Sequence, residues 1–346
     1  MNNSVKNISK KTVFIVVGIC LIFGGSLYGL NYPSYDDIGV YTDIQEDLQG
    51  KIIIPGKNGE ADVLYSLSWR NGQELWDIYY ENPKYSGYAY PKSKTDYLTC
   101  VAFNKEKGYY VVLKIKDGQT EELMVNNNKI NTPAFLDEEN TVFYVEEEKT
   151  QLSGGKYQKT EKKGILYKYN RDTQQKKRLV PFFISLENDI VVCSDETVIF
   201  VPQIQKGLEK DGIPRVISPL LAVKKDGEII GLCDDVELMT SYVDDASVLV
   251  YIKKDGLYIV KLCSGEKERV TKKFMDVEKH FAVSPDGKYA FGVYYKYKEQ
   301  DFYLLKHEEP NYAANLWILG TNKRVVVQGI KTVGISGIRK GFTWMH

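Results

Sequence analysis

Three histidines, His280, His307 and His346, are the side chains whose ordinary pKa lies near neutrality. None stands in a metal-ligand motif at helical or turn spacing, so each reads as a surface or loop residue. Gly334-Ile335-Ser336-Gly337-Ile338 approaches the G-x-S-x-G nucleophile elbow, but Ile338 occupies the place of the closing glycine. A following α/β-hydrolase domain is not expected so near the end of the chain. Adjacent carboxylates occur at Asp36/Asp37, Glu146/Glu147/Glu148, Asp234/Asp235, Asp244/Asp245 and Glu308/Glu309. A glycosidase needs two carboxylates roughly 5–9.5 Å apart across a cleft, which linear spacing does not supply. These pairs fall mostly where turns between strands are expected, so solvated turns are the simpler reading. None follows an EF-hand pattern, and no Walker-type or dinucleotide glycine loop is present.

Cys100, Cys193, Cys233 and Cys263 lie far apart in apolar, strand-like runs without Cys-x-x-Cys spacing. A zinc site is not expected. Buried free thiols are the first reading, and one or two disulfides the alternative in an exported protein. No catalytic, cofactor-binding or metal-ligating residue is therefore assigned. What remains is binding. Tyr79, Tyr80, Tyr85, Tyr88 and Tyr90, with Trp69 and Trp76, form one aromatic group, and Tyr294, Tyr295 and Tyr297 a second. Alternate tyrosines in strands pack between sheets more often than they stack on sugars or anchor peptides, so packing is expected.

The elements that must hold these residues begin with an apolar run. Residues 13–30 carry no charge, follow Lys6, Lys10 and Lys11, and precede Asp36, Asp37, Asp43, Glu46 and Asp47. At ~1.5 Å per residue the run makes a helix of roughly 27 Å, close to a bilayer core. Lysines on its N-terminal side predict an inside N-terminus and an extracytoplasmic remainder. A cleaved signal peptide, using Gly24 and Ser26, is the alternative, although the run exceeds the usual core of such a peptide. Cys20 lies within the run, and bulky Ile19 before it spoils a lipobox. The expected layout is a cytoplasmic tail at 1–12, an anchor at 13–30, a polar acidic tether at 31–60 and a β-domain at 61–346. Basic and acidic residues balance at 46 each, so nucleic acid is not an expected partner.

Beyond the tether the chain breaks into strand-length apolar runs separated by Gly, Asp and Asn turns. Six hairpins recur, with turns at Asn71-Gly72, Asp117-Gly118, Arg171-Asp172-Thr173, Asp226-Gly227, Ser264-Gly265 and Gly320-Thr321-Asn322. Their spacing of about 50 residues suits four-stranded propeller blades. Partner strands precede each hairpin but the first, and unpaired strand material remains at 334–338 and 341–344. Joining the two ends in one blade removes the open sheet edges. This predicts a six-bladed β-propeller, or seven blades if residues 51–55 seed another unit.

The best-formed unit is residues 281–295, where Phe281 and Val283 alternate before the turn Pro285-Asp286-Gly287 and Tyr289, Phe291, Val293 and Tyr295 alternate after it. Ser284-Pro-Asp-Gly-Lys-Tyr-Ala-Phe291 resembles the signature of WD40-like (PD40) repeats in TolB-like propellers, which are related in fold to the propellers of dipeptidyl peptidase IV and prolyl oligopeptidase. Residues 316–325 are similar to the hairpin that follows in that family. The resemblance implies a fold and a bacterial cell-envelope setting, and leaves function open because propellers host many roles. Insertions at 147–163, 203–218 and 299–314 all fall between the second and third strands of a unit, and so should emerge on one face of a disc. The expected function is a membrane-anchored, non-catalytic module that binds a protein or glycan partner on that face. The alternative is an extracellular hydrolase or lyase acting on carbohydrate.

Overall fold

A computed structural model describes residues 40–93, 96–136, 140–152, 159–184, 190–193, 195–202, 204–208, 214–234, 236, 238–241, 247–252, 256–261, 266–271, 281–296, 311–321, 323–332 and 341–345. The expected anchor at 13–30 lies outside them. Among the described residues no helix is long and apolar enough to cross a membrane.

The turn chemistry of the first two hairpins does what its residue types demand. Asn71 and Gly72 take φ of 51° and 76°, and Asp117 and Gly118 take 49° and 74°, the paired left-handed conformations of a tight hairpin turn. Around such turns the chain folds into successive antiparallel sheets. After β1 (Val40–Tyr41) come β2 (Lys51–Asn58), β3 (Ala61–Arg70) and β4 (Gln73–Glu81), then β5 (Tyr85–Ser93), β6 (Leu98–Asn104), β7 (Tyr109–Lys116) and β8 (Gln119–Asn126). The third sheet comprises β9 (Ile130–Leu136), β10 (Thr141–Leu152), β11 (Lys159–Asn170) and β12 (Gln175–Arg178). The fourth has β13 (Val191–Val192), β14 (Val198–Phe200), β17 (Leu220–Val223) and β18 (Ile229–Cys233), with a separate hairpin of β15 (Ile204–Leu208) and β16 (Pro214–Ile217) between its second and third strands. The fifth holds β19 (Leu238–Ser241), β20 (Ser247–Ile252), β21 (Gly256–Lys261) and β22 (Lys267–Thr271). The last contains β23 (Phe281–Val283), β24 (Tyr289–Lys296), β25 (Asn311–Ile318) and β26 (Lys323–Val327). A 3-10 turn, Gly329–Thr332, then leads to β27 (Thr343–Met345), which pairs with β2 and completes the first sheet.

The molecule is an all-β propeller. Among the described residues it holds five regular four-stranded sheets, rather than six or seven, and one five-stranded sheet in which β1 adds in parallel to β26. Residues 51–55 do not seed another blade, because β2 is the second strand of the first sheet, next to β27. Part of the expected tether is also integrated: Ile44 and Leu48 are buried in the cluster shared by the first and last sheets.

Apolar clusters fill the spaces between neighbours. One joins the last and first sheets through Phe291, Leu316, Leu67 and Trp344; another joins the first and second through Leu64, Tyr88 and Leu113. Val112 and Tyr144 meet between the second and third sheets, Val145 and Phe200 between the third and fourth, and Cys233 and Val260 between the fourth and fifth. Sheets with both faces buried need apolar residues on both sides, so Ile52, Ile53 and Ile54 are consecutive and all fully buried.

Candidate binding face

In four-stranded antiparallel sheets the connections from second to third strand leave at one end, and those from first to second at the other. All three insertions sit between second and third strands: within the β10–β11 hairpin, at β15–β16, and between β24 and β25. The first extends its own sheet, with ladder pairing unbroken from Thr141↔Asn170 to Leu152↔Lys159. The second forms its own two-stranded hairpin. Residues 297–310 of the third lie outside the described residues. Val40 pairs with Lys323, just after the Gly320–Thr321 turn, so the described chain enters at the end of the sheet opposite the insertions.

Glu146 sits at the root of the first insertion, opposite Ile165. Its Oε1 accepts from Asn128 Nδ2 at 2.7 Å, and its Oε2 from Asn126 Nδ2 at 2.8 Å and Lys176 Nζ at 2.5 Å. The ammonium of Lys176 lies 3.8 Å from the centroid of the Tyr167 ring, which stacks on Tyr144 at 5.7 Å. Burial pushes the Glu146 carboxyl up, but the Lys176, Asn128 and Asn126 donors outweigh it and hold it below the ordinary range. Burial raises the Tyr144 hydroxyl, with Glu146 adding to the effect. This is a fixed anion that ties the β8–β9 connection to the insertion, with no proton to give at neutral pH.

A second carboxylate is held in the same way. Glu122 Oε1 accepts from Tyr85 at 2.8 Å and Asn104 at 2.9 Å, with Lys84 Nζ at 3.2 Å, and its Oε2 accepts from Tyr109 at 3.1 Å. Burial raises its carboxyl, and the Tyr85, Lys84, Tyr109 and Asn104 donors more than reverse this. Burial also pushes the Tyr85 hydroxyl up to about 12. Asp286 is likewise lowered, chiefly by Ser284 against the effect of burial, and Asp96 by Lys116. A glycosidase acid requires the opposite displacement. The described inner strands, β5, β9, β13, β19, β23 and β27, contain no Asp or Glu at all. Among the described residues no group of three or more His, Cys, Asp or Glu could hold a metal ion.

The residues singled out in the sequence separate cleanly. Tyr80, Tyr85 and Tyr88 are buried between the first and second sheets, and Trp69 between the last and first, so their role is packing. Ser284 and Asp286 are internal to their turn: the Ser284 hydroxyl donates to Asp286 Oδ1 at 2.6 Å and accepts the Tyr289 N–H at 2.9 Å. Cys100 and Cys233 are free, buried thiols, Cys193 is buried, and burial pushes Cys100 up to about 12. Glu146 and Glu147 correct the expectation of solvated turns, since both are buried in β10. The paired groups Asn126, Asn128 and Glu122 carried no signal beyond their polarity. His280, His307, His346, Ser336, Cys263, Asp244, Asp245, Glu308 and Glu309 lie outside the described residues.

No protein-family model and no curated protein matches the chain. Solved structures do. TolB from Acinetobacter baumannii aligns with a TM-score of 0.55 at 13% identity, over 87% of this chain and 68% of its own. Hydrazine synthase from Kuenenia stuttgartiensis aligns at 0.52 and 8% identity, over 86% of this chain and 48% of its own. A nidogen/laminin complex aligns at 0.50 and 9% identity, over 85% of this chain and 97% of its own. At such identities the likeness concerns the fold alone. Together with the ring of sheets, it makes this chain a β-propeller, similar in fold to TolB.

Proposed function

We propose that this protein is a membrane-anchored, extracytoplasmic propeller of the bacterial cell envelope that binds a protein or glycan without turning it over. Residues 13–30 supply the anchor in this reading. The observation that carries it is the shared position of the three insertions, each between the second and third strands of its sheet. Loops gathered at one end of a rigid scaffold are where such folds place recognition. The absence of carboxylates from the described inner strands, and the lowered pKa of Glu122 and Glu146, support binding over hydrolysis.

The test uses the full-length protein in detergent on glycan and peptide arrays. Binding should appear, and should be lost when residues 149–162 are replaced by a two-residue turn. It should survive Val125→Lys on the outer strand β8. Turnover of a captured glycan, or binding that ignores the insertion and follows Val125, would overturn the reading.

A further inference from the structure

The ring closes through very little chain. β27 meets β2 in three residue pairs, Lys51↔Met345, Ile52↔Trp344 and Ile53↔Thr343. A ladder this short is marginal on its own. Residues 42–50 contact the last sheet, the first sheet and the closing strand. On the last sheet, the Thr42 N–H donates to the Arg324 carbonyl at 3.0 Å, and the Tyr289 hydroxyl donates to Glu46 Oε1 at 2.5 Å. On the first sheet, the Asn71 N–H donates to Asp47 Oδ1 at 2.7 Å. On the closing strand, Trp344 Nε1 donates to the Gln49 carbonyl at 2.8 Å.

Backbone approach on the same path is equally close. A Cβ on Gly72 would fall 2.7 Å from the Ile44 carbonyl oxygen, and one on Gly50 would fall 2.1 Å from that of Met345. Both glycines have positive φ, so side chains are excluded by conformation as well as by space. Ile44 and Leu48 are buried in one cluster with Ile52 and Leu67 of the first sheet, Phe291 and Leu316 of the last, and Trp344 of the closing strand.

We propose that residues 40–50 form a clasp, and that release of the clasp and opening of the β27–β2 seam are one cooperative event. The strand β1 anchors one end on β26, the acidic side chains of Glu46 and Asp47 pin the middle to the last and first sheets respectively, and Gly50 delivers the chain into β2. Ring integrity thereby becomes sensitive to the segment that leads into the domain: a cut within 40–50 opens the seam.

The test is hydrogen exchange on the full-length protein carrying Ile44→Asp and Leu48→Asp. Amides of Lys51–Ile53 and Thr343–Met345 should exchange at least tenfold faster, while those of β6 and β7 in the second sheet keep their protection. Gly72→Ala, a milder change, should accelerate the same amides in the same order. Asp47→Asn keeps the Oδ1 acceptor and should leave them unchanged. Val142→Ala, in the third sheet, is the control for loss of stability elsewhere and should not accelerate the seam selectively. Faster exchange confined to residues 40–50, with the seam still protected, would overturn the clasp. A uniform rise across all sheets would do the same.

Discussion

Nε1 of Trp76 occupies the space that a side chain at Gly329 would need: a Cβ there would fall 2.1 Å from that nitrogen. Glu74 holds the arrangement. It accepts the Gln328 and Gly329 N–H groups at 2.7 and 2.9 Å and the Trp76 indole at 3.2 Å. The outer strand of the first sheet is thus fixed to the 3-10 turn after the last. Gly329→Ala must displace the indole and should cost about 1–3 kcal/mol, the usual range for overpacking. Urea unfolding measures it, and the cost should largely vanish in a Trp76→Ala background. An unchanged cost there would show that the indole is not the obstacle.

Glu122 gives the fold an acid limit. Its folded pKa lies below the unfolded value of about 4.3, because four donors outweigh burial. A depressed carboxyl adds stability that is present above the unfolded pKa and lost as pH falls through the folded one. The urea midpoint of the native protein should therefore drop as pH falls below about 4.3, and Glu122→Gln should flatten that part of the profile. Identical slopes for the two proteins would assign the acid limit elsewhere.

Lys176 neutralises a carboxylate that is only 6% exposed. Lys176→Met leaves Glu146 with its two asparagine donors and no counter-charge. The expected loss is about 1–3 kcal/mol, below that of a fully buried pair because Lys176 is one-third exposed. The Glu146 carboxyl should also titrate at higher pH in the variant, which carbon-detected NMR of the carboxyl would follow. A carboxyl that titrates as in the native protein would mean that Asn126 and Asn128 set its pKa.

Ser284→Ala removes the acceptor of the Tyr289 N–H in a buried turn. A buried donor left without its partner costs about 1–3 kcal/mol. Thermal unfolding should register that loss, while capture of any array ligand stays unchanged. Loss of capture with stability intact would move this turn from scaffold to site.

The hairpins were readable because their determinants are local. Asn71-Gly72, Asp117-Gly118 and Asp226-Gly227 carry the residue types that accept positive φ, and the flanking runs alternate or are uniformly apolar. The first strands were harder. β13 is two residues long, too short for any period to show. β5 contains Pro91 and Gly87, with irregular pairing near Ala89, so its tyrosines read as a cluster rather than as a strand. Residues 40–50 read as a tether because their charge suggested solvent. Glu46 and Asp47 instead accept hydrogen bonds from Tyr289 and the Asn71 backbone, partners 243 and 24 positions away.

The sequence by itself determined an all-β chain of repeated hairpins with the Ser284 to Lys288 turn as its clearest unit, and a β27 segment with apolar residues needing a partner. Turn propensity and side-chain alternation depend on neighbours within a few positions, so they survive in the linear order. Only the tertiary structure decided which carboxylates are fixed anions, which tyrosines are core, and how residues 40–50 bridge the seam. Glu122, Glu146 and Glu46 look alike in the chain. Their donors arrive from strands and connections brought together by folding, and it is those donors, outweighing the cost of burial, that give Glu122 and Glu146 their chemistry.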